Sequence, residues 1–233
     1  LVTNFTPAHS VTVVDLEGRK VLGEIELPGC SMVYPTGARG FTTFCADGTL
    51  TSIALDPAGK VVSTSTTRPI HDIDRQAMFV MPAMVGGTAW FVTYGGIVRG
   101  FDLSGPVVRE LKTDFPVGTA EGAQPEWRPS GWQVISSDAS GKLYVLMTPF
   151  GREGSHKDPG AEVWVFDPAK KARIARILLK GPGVSIEVTR ESVPRLVVAR
   201  ADSVIDVYDA ASGAFVRTLG NHVAFNPLTL TAM

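Results

Sequence analysis

Short runs of apolar residues, separated by turn residues, divide the chain into strands. Residues 162–166, EVWVF, are mostly β-branched or aromatic, a composition that suits the pleated surface of a sheet. The turn DPAK at 167–170 follows, in which the Asp side chain can bond the backbone two residues on and Pro presets φ. Residues 172–179 form the predicted return strand. Because both faces of the first strand are apolar, this hairpin is predicted to be covered on both sides.

The same hairpin recurs four more times, with an aspartate at the end of each first strand. The spacings between these aspartates are 41, 46, 65 and 42 residues, and the residues are Asp15, Asp56, Asp102, Asp167 and Asp209. The other return strands are predicted at 21–25, 61–63, 107–108 and 215–217. A strand repeat of 40-odd residues is typical of a β-propeller with one blade per repeat. The sequence therefore predicts an all-β chain, a β-propeller of four-stranded blades with about five blades present. The long third interval predicts an insertion at residues 115–160.

Length and composition favour a single domain over residues 1–233. The chain has 233 residues, 44% of them hydrophobic, which is enough for a sizeable core. Its 24 glycines and 16 prolines follow no period, which suits many turns. No helix of ordinary length is predicted. Leu1 is not a natural start and no signal peptide precedes it, so we expect a fragment or a processed chain.

The charge and hydropathy of the sequence argue against a nucleic-acid partner and against insertion into a membrane. The formal net charge is -1 and no basic stripe is present, so no nucleic-acid partner is expected. The longest strongly apolar run, residues 77–85, is about half the length of a membrane helix and contains Pro82. No membrane insertion is predicted.

Motif chemistry gives no self-contained active site. The histidines show no metal-ligand spacing with one another or with cysteine, and they are His9, His71, His156 and His222. No nucleophile elbow and no phosphate-binding loop is present. An acid–base cluster of His71, Asp72 and Asp74 is conceivable, but a solvated loop is the preferred interpretation. No catalytic, cofactor-binding or metal-binding residue is predicted.

The two cysteines leave two interpretations open. Cys30 and Cys45 lie on runs that are plausible neighbouring strands, and antiparallel neighbours bring Cα atoms within disulfide range. A bridge would indicate an oxidising compartment. Two buried free thiols are the alternative.

Two segments are candidates for a partner contact or for structural packing. Trp127 and Trp132 flank Arg128 in a short Pro/Gly segment. Trp and Arg are common at interface hot spots, whereas an Arg stacked on a Trp would be a packing cluster; packing is the preferred interpretation. His156 and Lys157 occupy a polar loop whose simplest interpretation is a hydrogen-bonded tip.

Several stretches resemble the heavy subunit of the methylamine and aromatic amine dehydrogenases. They are PGC at 28–30 with VYP at 33–35, CADGTL at 45–50, EWRPSGWQ at 126–133, the His156–Lys157 loop with residues 163–167, and the hairpin at 203–218. The family has a closely similar W-R-P-G-G-[WY]-Q stretch. Ser130 stands in place of its usual glycine, a departure that bears on the local turn. The resemblance spans nearly the whole chain.

The resemblance implies a larger assembly. The family's heavy subunit is a seven-bladed propeller, so about five of seven blades are expected here, in a domain that lacks the N-terminal two. It carries no cofactor and binds a small, disulfide-rich light subunit whose own tryptophans form tryptophan tryptophylquinone. Two heavy and two light subunits oxidise primary amines to aldehyde and ammonia. Electrons pass to a blue-copper protein, amicyanin- or azurin-like, in the periplasm.

The same resemblance bears on individual residues. The family's paired cysteines are disulfide-bonded, which implies a Cys30–Cys45 bridge. The catalytic base and the quinone lie on the light chain, so Trp127 and Trp132 are not cofactor precursors. The leading hypothesis is the heavy, non-cofactor subunit of a quinoprotein amine dehydrogenase, which scaffolds the light subunit and shapes substrate access. The alternatives are a non-enzymatic periplasmic or secreted β-propeller binding module and, more weakly, a stand-alone propeller enzyme.

Overall fold

The structure is a computed structural model that describes residues 1–5, 8–120, 122–220 and 229–231. These residues form β strands and one short 3₁₀ helix, Ser155–Lys157. The strands are β1 (Val2–Asn4), β2 (Ser10–Asp15), β3 (Lys20–Glu26), β4 (Cys30–Pro35), β5 (Gly40–Cys45), β6 (Leu50–Leu55), β7 (Val61–Thr66), β8 (Ala83–Val85), β9 (Thr88–Val92), β10 (Ile97–Asp102), β11 (Arg109–Pro116), β12 (Arg128–Pro129), β13 (Ile135–Ser137), β14 (Leu143–Thr148), β15 (Gly160–Asp167), β16 (Ala172–Val188), β17 (Arg195–Arg200), β18 (Ile205–Asp209) and β19 (Phe215–Leu219). The all-β prediction is confirmed.

Sequential strands pair into sheets, two of which have the four strands of a propeller blade and one of which has three. One sheet has the order β1-β2-β3, a second β4-β5-β6-β7 and a third β11-β10-β9-β8. An eight-stranded sheet runs from β12 through β14 to β19, and β13 also pairs with β14.

The eight-stranded sheet consists of two units, β12–β16 and β16–β19, which share one long strand. The first part of β16 pairs with β15 as far as Leu178, and its last part, from Gly183 to Val188, pairs with β17. The 17-residue strand β16 is therefore the outer strand of one unit and the first strand of the next. The first of these units, which contains β14 and β15, is stabilised by burial of both strands along almost their whole length. Trp164 and Val165 are each 3% exposed, so both faces of β15 are covered, as predicted.

Each predicted strand-ending aspartate shapes the turn that follows it. The carboxylate accepts backbone N–H bonds from residues two to four positions further on, which fixes the turn locally. These bonds are Gly18 to Asp15 (3.0 Å), Lys60 to Asp56 (2.8 Å), Ser104 to Asp102 (2.9 Å), Ala169 to Asp167 (3.0 Å) and Ser212 to Asp209 (2.9 Å).

One sequence prediction needs correction. The return strand at 107–108 is wrong, because β11 begins only at Arg109. The Val108 N–H instead donates to the Ser52 hydroxyl at 2.9 Å, which takes it out of the sheet ladder. The segment 115–160, which holds the predicted insertion, is part strand and part loop. It contains the end of β11 and all of β12, β13 and β14, and the extra length lies on either side of β12–β14.

By internal packing the chain divides into two compact units. One comprises Leu1–Ala77 with Phe101–Leu111, and the other Met78–Gly100 with Lys112–Met233. A small apolar cluster in the first unit contains Val11, Leu27, Phe41 and Ile53. The second has the larger core, built mainly from β14, β15, β16 and β17. The assignment of residues 1–233 to one domain stays a prediction. Among the described residues no helix is long and apolar enough to cross a bilayer.

Candidate functional site

The residues singled out in the sequence fall into two separate settings in the second unit. Trp127 and Arg128 pack against the sheet. Trp132, His156 and Lys157 line a surface pocket. The structure thus separates the two tryptophans that the sequence places five residues apart.

Trp127 belongs to a packed aromatic cluster. Its ring lies 5.1 Å from that of Trp164, and the Arg176 guanidinium sits 5.3 Å from both ring centroids. Arg176 in turn makes two hydrogen bonds of 2.7 Å to Glu162. The cation over Trp127 is therefore Arg176 of β16, and Arg128 does not take that place.

Glu162 links this cluster to the interior. It accepts a third hydrogen bond, 2.7 Å long, from the indole N–H of Trp164. Burial opposes ionisation of Glu162, but the bonds from Arg176 and Trp164 outweigh it and lower the pKa of the carboxyl below its ordinary value. The carboxylate stays charged because its buried oxygens are satisfied.

Arg128 is tied to its own segment. Its guanidinium pairs with Glu126, and both side chains are largely buried. The Glu126 carboxylate also accepts the Gly122 N–H, and these bonds lower its pKa. The pair fixes the chain at the entry to β12.

The turn at 130–132 presents Trp132 to solvent. The Gly131 N–H donates to the His156 carbonyl at 3.0 Å, and the Trp132 N–H donates to the Val184 carbonyl at 2.6 Å. Gly131 has φ 121°, and a Cβ there would lie 2.6 Å from the Val184 oxygen, so this turn requires glycine. The indole of Trp132 is 52% exposed as a result.

A pocket of about 330 Å³ lies beside Trp132. On one side Tyr94 stacks on His156, with ring centroids 3.9 Å apart and planes at 10°. The Phe79 ring meets Tyr94 edge-on at 4.7 Å. The remaining lining comes from Val80, Met81, Gly131, Lys157 and Val184. The pocket is therefore aromatic and apolar on most sides.

The charges of the pocket lie at one edge. Burial, together with the neighbouring Lys157, lowers the pKa of His156, so the imidazole is neutral at pH 7. The nearby Arg152 and Asp158 pair with each other at 2.8 Å. Lys157 is exposed. Its backbone N–H donates to the Gly154 carbonyl at 3.3 Å, whereas its ammonium has no ion-pair or hydrogen-bond partner among the described residues.

Gln133 lies directly behind Trp132 and is buried. Its side-chain amide donates to Glu187 at 2.7 Å and to the Leu230 carbonyl at 3.1 Å. It also accepts the Leu230 N–H at 3.0 Å. Burial raises the pKa of Glu187 above its ordinary value. The end of the EWRPSGWQ segment therefore holds the backbone of residue 230 against the second unit.

The first unit contains the disulfide. Cys30 and Cys45 are cross-strand partners in β4 and β5, and their sulfur atoms are bonded. The bridge implied by the family resemblance is present, and the free-thiol alternative is excluded.

The loop with His71 and Asp72 is also in the first unit. Asp72 accepts the backbone N–H groups of Asp74 and Arg75, and so caps a turn. The His71 ring packs edge-on against Phe44, with centroids 5.6 Å apart. Within the described residues no group of three or more His, Cys, Asp or Glu side chains is placed to hold a metal ion. His222 lies outside the described residues.

Comparison with known proteins identifies the family. A sequence model described as methylamine dehydrogenase heavy chain matches residues 1–233. The chain belongs to the methylamine dehydrogenase heavy chain family. The heavy chain of Methylobacillus flagellatus is 28% identical over 217 residues, covering 91% of this chain and 54% of that protein. The heavy chain of Methylorubrum extorquens is 27% identical over 231 residues, covering 98% and 56%.

Another heavy chain agrees with this placement, and one solved structure bears on the fold. The heavy chain of Paracoccus versutus is 28% identical over 218 residues, covering 92% of this chain and 50% of that one. The chain thus spans about half the length of the curated heavy chains it matches. The crystal structure of BamB from Moraxella catarrhalis superposes with a TM-score of 0.52 at 14% identity, covering 94% of this chain and 60% of that one. This likeness bears on the fold alone, and with the sheets described above it confirms the predicted β-propeller.

Sequence reasoning missed most of the pocket wall. Trp132, His156 and Lys157 were singled out, but Phe79, Tyr94 and Val184 were not. Phe79 enters the sequence analysis only within the apolar run 77–85, and Tyr94 does not enter it. They come together because the Phe79 N–H donates to the Val92 carbonyl at 3.0 Å, which brings residue 79 next to the end of β9. No local sequence pattern marks such a convergence.

Proposed function

We propose that this chain forms part of the heavy, non-cofactor subunit of a tryptophan tryptophylquinone-dependent amine dehydrogenase. The observation that carries the proposal is the family match over residues 1–233. The enzyme converts a primary amine and water into an aldehyde and ammonia, and passes the electrons to a blue-copper protein. Two heavy and two light subunits assemble in the periplasm, where an oxidising environment suits the Cys30–Cys45 disulfide.

The role of this chain in that enzyme is structural. The quinone, when present, belongs to the light subunit and supplies the redox chemistry. The propeller scaffolds that subunit and shapes the path by which amine reaches it. Rigid sheets suit this task, because binding residues are commonly carried on loops that a rigid scaffold positions.

The test is an absorption spectrum of the complex copurified from the native host with the full reading frame. A visible quinone band that bleaches on addition of methylamine, with a small disulfide-rich partner on the gel, is the expected result. Trimethylamine is the control, since it has no N–H to lose and should leave the band unchanged. A featureless spectrum with no small partner would overturn the proposal in favour of a non-enzymatic binding propeller.

A further inference from the structure

The Trp132 pocket has the features of a protein docking site. Large aromatic side chains that are half exposed beside a concave apolar surface are typical interface anchors. Trp132 is 52% exposed and Val80, on the same pocket, is 37% exposed. The volume of about 330 Å³ is at the small end of ligand cavities, a size that suits one inserted side chain.

The pocket is built before any partner arrives. The backbone bonds from Gly131 to His156 and from Trp132 to Val184 join the turn to two different elements. The Ser130 N–H adds a third bond, 3.2 Å long, to the Leu146 carbonyl. Little conformational entropy is then lost on binding, and this favours affinity.

Charge identifies the partner's chemistry. Lys157 is the one side chain among the described pocket-lining residues that carries a charge at pH 7, since the His156 imidazole is neutral. Its ammonium lacks an ion-pair partner in the described part of the chain. An apolar group that enters the pocket with a carboxylate at its side would satisfy both the aromatic wall and this cation.

We propose that the light subunit inserts an aromatic or large aliphatic side chain into the Trp132 pocket and places an adjacent carboxylate against Lys157. This rests on the proposed function, which supplies the partner. Trp127 and Arg128 take no direct part, because they are held in the packed cluster and in the pair with Glu126. Trp132, His156 and Lys157 are the contact residues.

The experiment measures the affinity of the full-length heavy chain for its purified light subunit by isothermal titration calorimetry. Trp132→Ala is expected to weaken binding at least tenfold, as for an interface anchor. Lys157→Glu is expected to weaken binding more at low salt than at high salt, because screening removes the repulsion. Val80→Arg, which blocks the pocket mouth from an exposed position, provides a second variant if Trp132→Ala does not fold.

Matched controls lie outside the pocket. Phe150→Ala removes an aromatic ring that is 71% exposed and does not line the pocket. Lys60→Glu reverses the charge of an exposed lysine in the first unit. Both should bind within twofold of wild type, and all variants should melt at the wild-type temperature.

The outcomes separate this inference from the proposed function. If wild type binds the light subunit and shows the quinone band, but the Trp132, Lys157 and Val80 variants bind equally well, the inference alone is overturned. Saturable quenching of Trp132 fluorescence by benzoate, with light-subunit affinity unchanged in the variants, would also overturn it and indicate a small-molecule site. If wild type binds no light subunit and shows no band, the proposed function itself fails.

Discussion

The hydroxyl of Ser130 is fully buried and has no hydrogen-bond partner among the described residues. An unsatisfied buried polar group costs free energy. Ser130→Ala is therefore expected to leave the free energy of unfolding unchanged or to raise it by up to about 1 kcal/mol. Urea denaturation measures the difference. The Ser130 side chain is then tolerated without making a favourable contact through its hydroxyl.

Ser136 is the matched control for this prediction. It is also buried, but its hydroxyl accepts the Val188 N–H at 3.0 Å. Ser136→Ala should cost about 1 kcal/mol because a buried N–H is left without its acceptor. Equal losses of unfolding free energy in Ser130→Ala and Ser136→Ala would contradict the distinction between an unpaired and a hydrogen-bonded hydroxyl.

Glu162 gives a prediction with a defined pH dependence. Its folded-state pKa is lowered, so its stabilising contribution is present above the ordinary pKa of about 4.5 and is lost as the pH falls through the folded value. Glu162→Gln should lower the free energy of unfolding by about 1–2 kcal/mol at pH 7, a modest loss because Arg176 is half exposed and solvent screens the pair. Denaturant titrations of both proteins at pH 7 and pH 3 should show the gap narrowing in acid.

The exposed Glu191 serves as control. Glu191→Gln should leave the free energy of unfolding close to wild type at both pH values. A gap between wild type and Glu162→Gln that persists unchanged at pH 3 would show that the loss is one of packing and not of charge.

Strands whose turns are encoded locally could be predicted from the sequence. The predicted first strand ending at Asp15 coincides with β2, and that ending at Asp102 coincides with β10, because each aspartate sets its own turn. Strand β11 was misplaced because a hydrogen bond from Val108 to Ser52, 56 residues away, overrides the local apolar pair. The pocket could not be predicted from the sequence either, because its walls come from residues that lie between positions 79 and 184 and meet only in the folded chain.

The hairpin of β4 and β5 depends on the disulfide for part of its stability. Cys30 and Cys45 are 15 residues apart, and closing a loop of this length stabilises by about 3 kcal/mol. Cys30→Ser should lower the free energy of unfolding by about that amount. In thermal melts, dithiothreitol should lower the melting temperature of wild type to that of Cys30→Ser. It should leave the melting temperature of Cys30→Ser unchanged.

The double variant Cys30→Ser/Cys45→Ser is the control. Because either substitution alone removes the bridge, the double variant should match Cys30→Ser closely. Equal melting of wild type with and without reductant would contradict a stabilising role for the disulfide.

If the proposed function holds, the full-length heavy chain as a whole molecule is more stable in complex with the light subunit than alone. A light subunit that binds only the folded propeller stabilises it by mass action, by about 2.7 kcal/mol at a hundred times the dissociation constant. Differential scanning calorimetry of the full-length heavy chain should therefore show a melting temperature that rises with light-subunit concentration. At the same concentrations the rise in melting temperature should be smaller for Trp132→Ala, because its pocket no longer anchors the partner. For Phe150→Ala the rise should equal that of wild type. A melting temperature that does not move, in mixtures where gel filtration shows the complex, would mean that the light subunit binds folded and unfolded chains equally well. A docking site assembled from Phe79, Tyr94 and Trp132 exists only in the folded chain, so this result would contradict the proposed site.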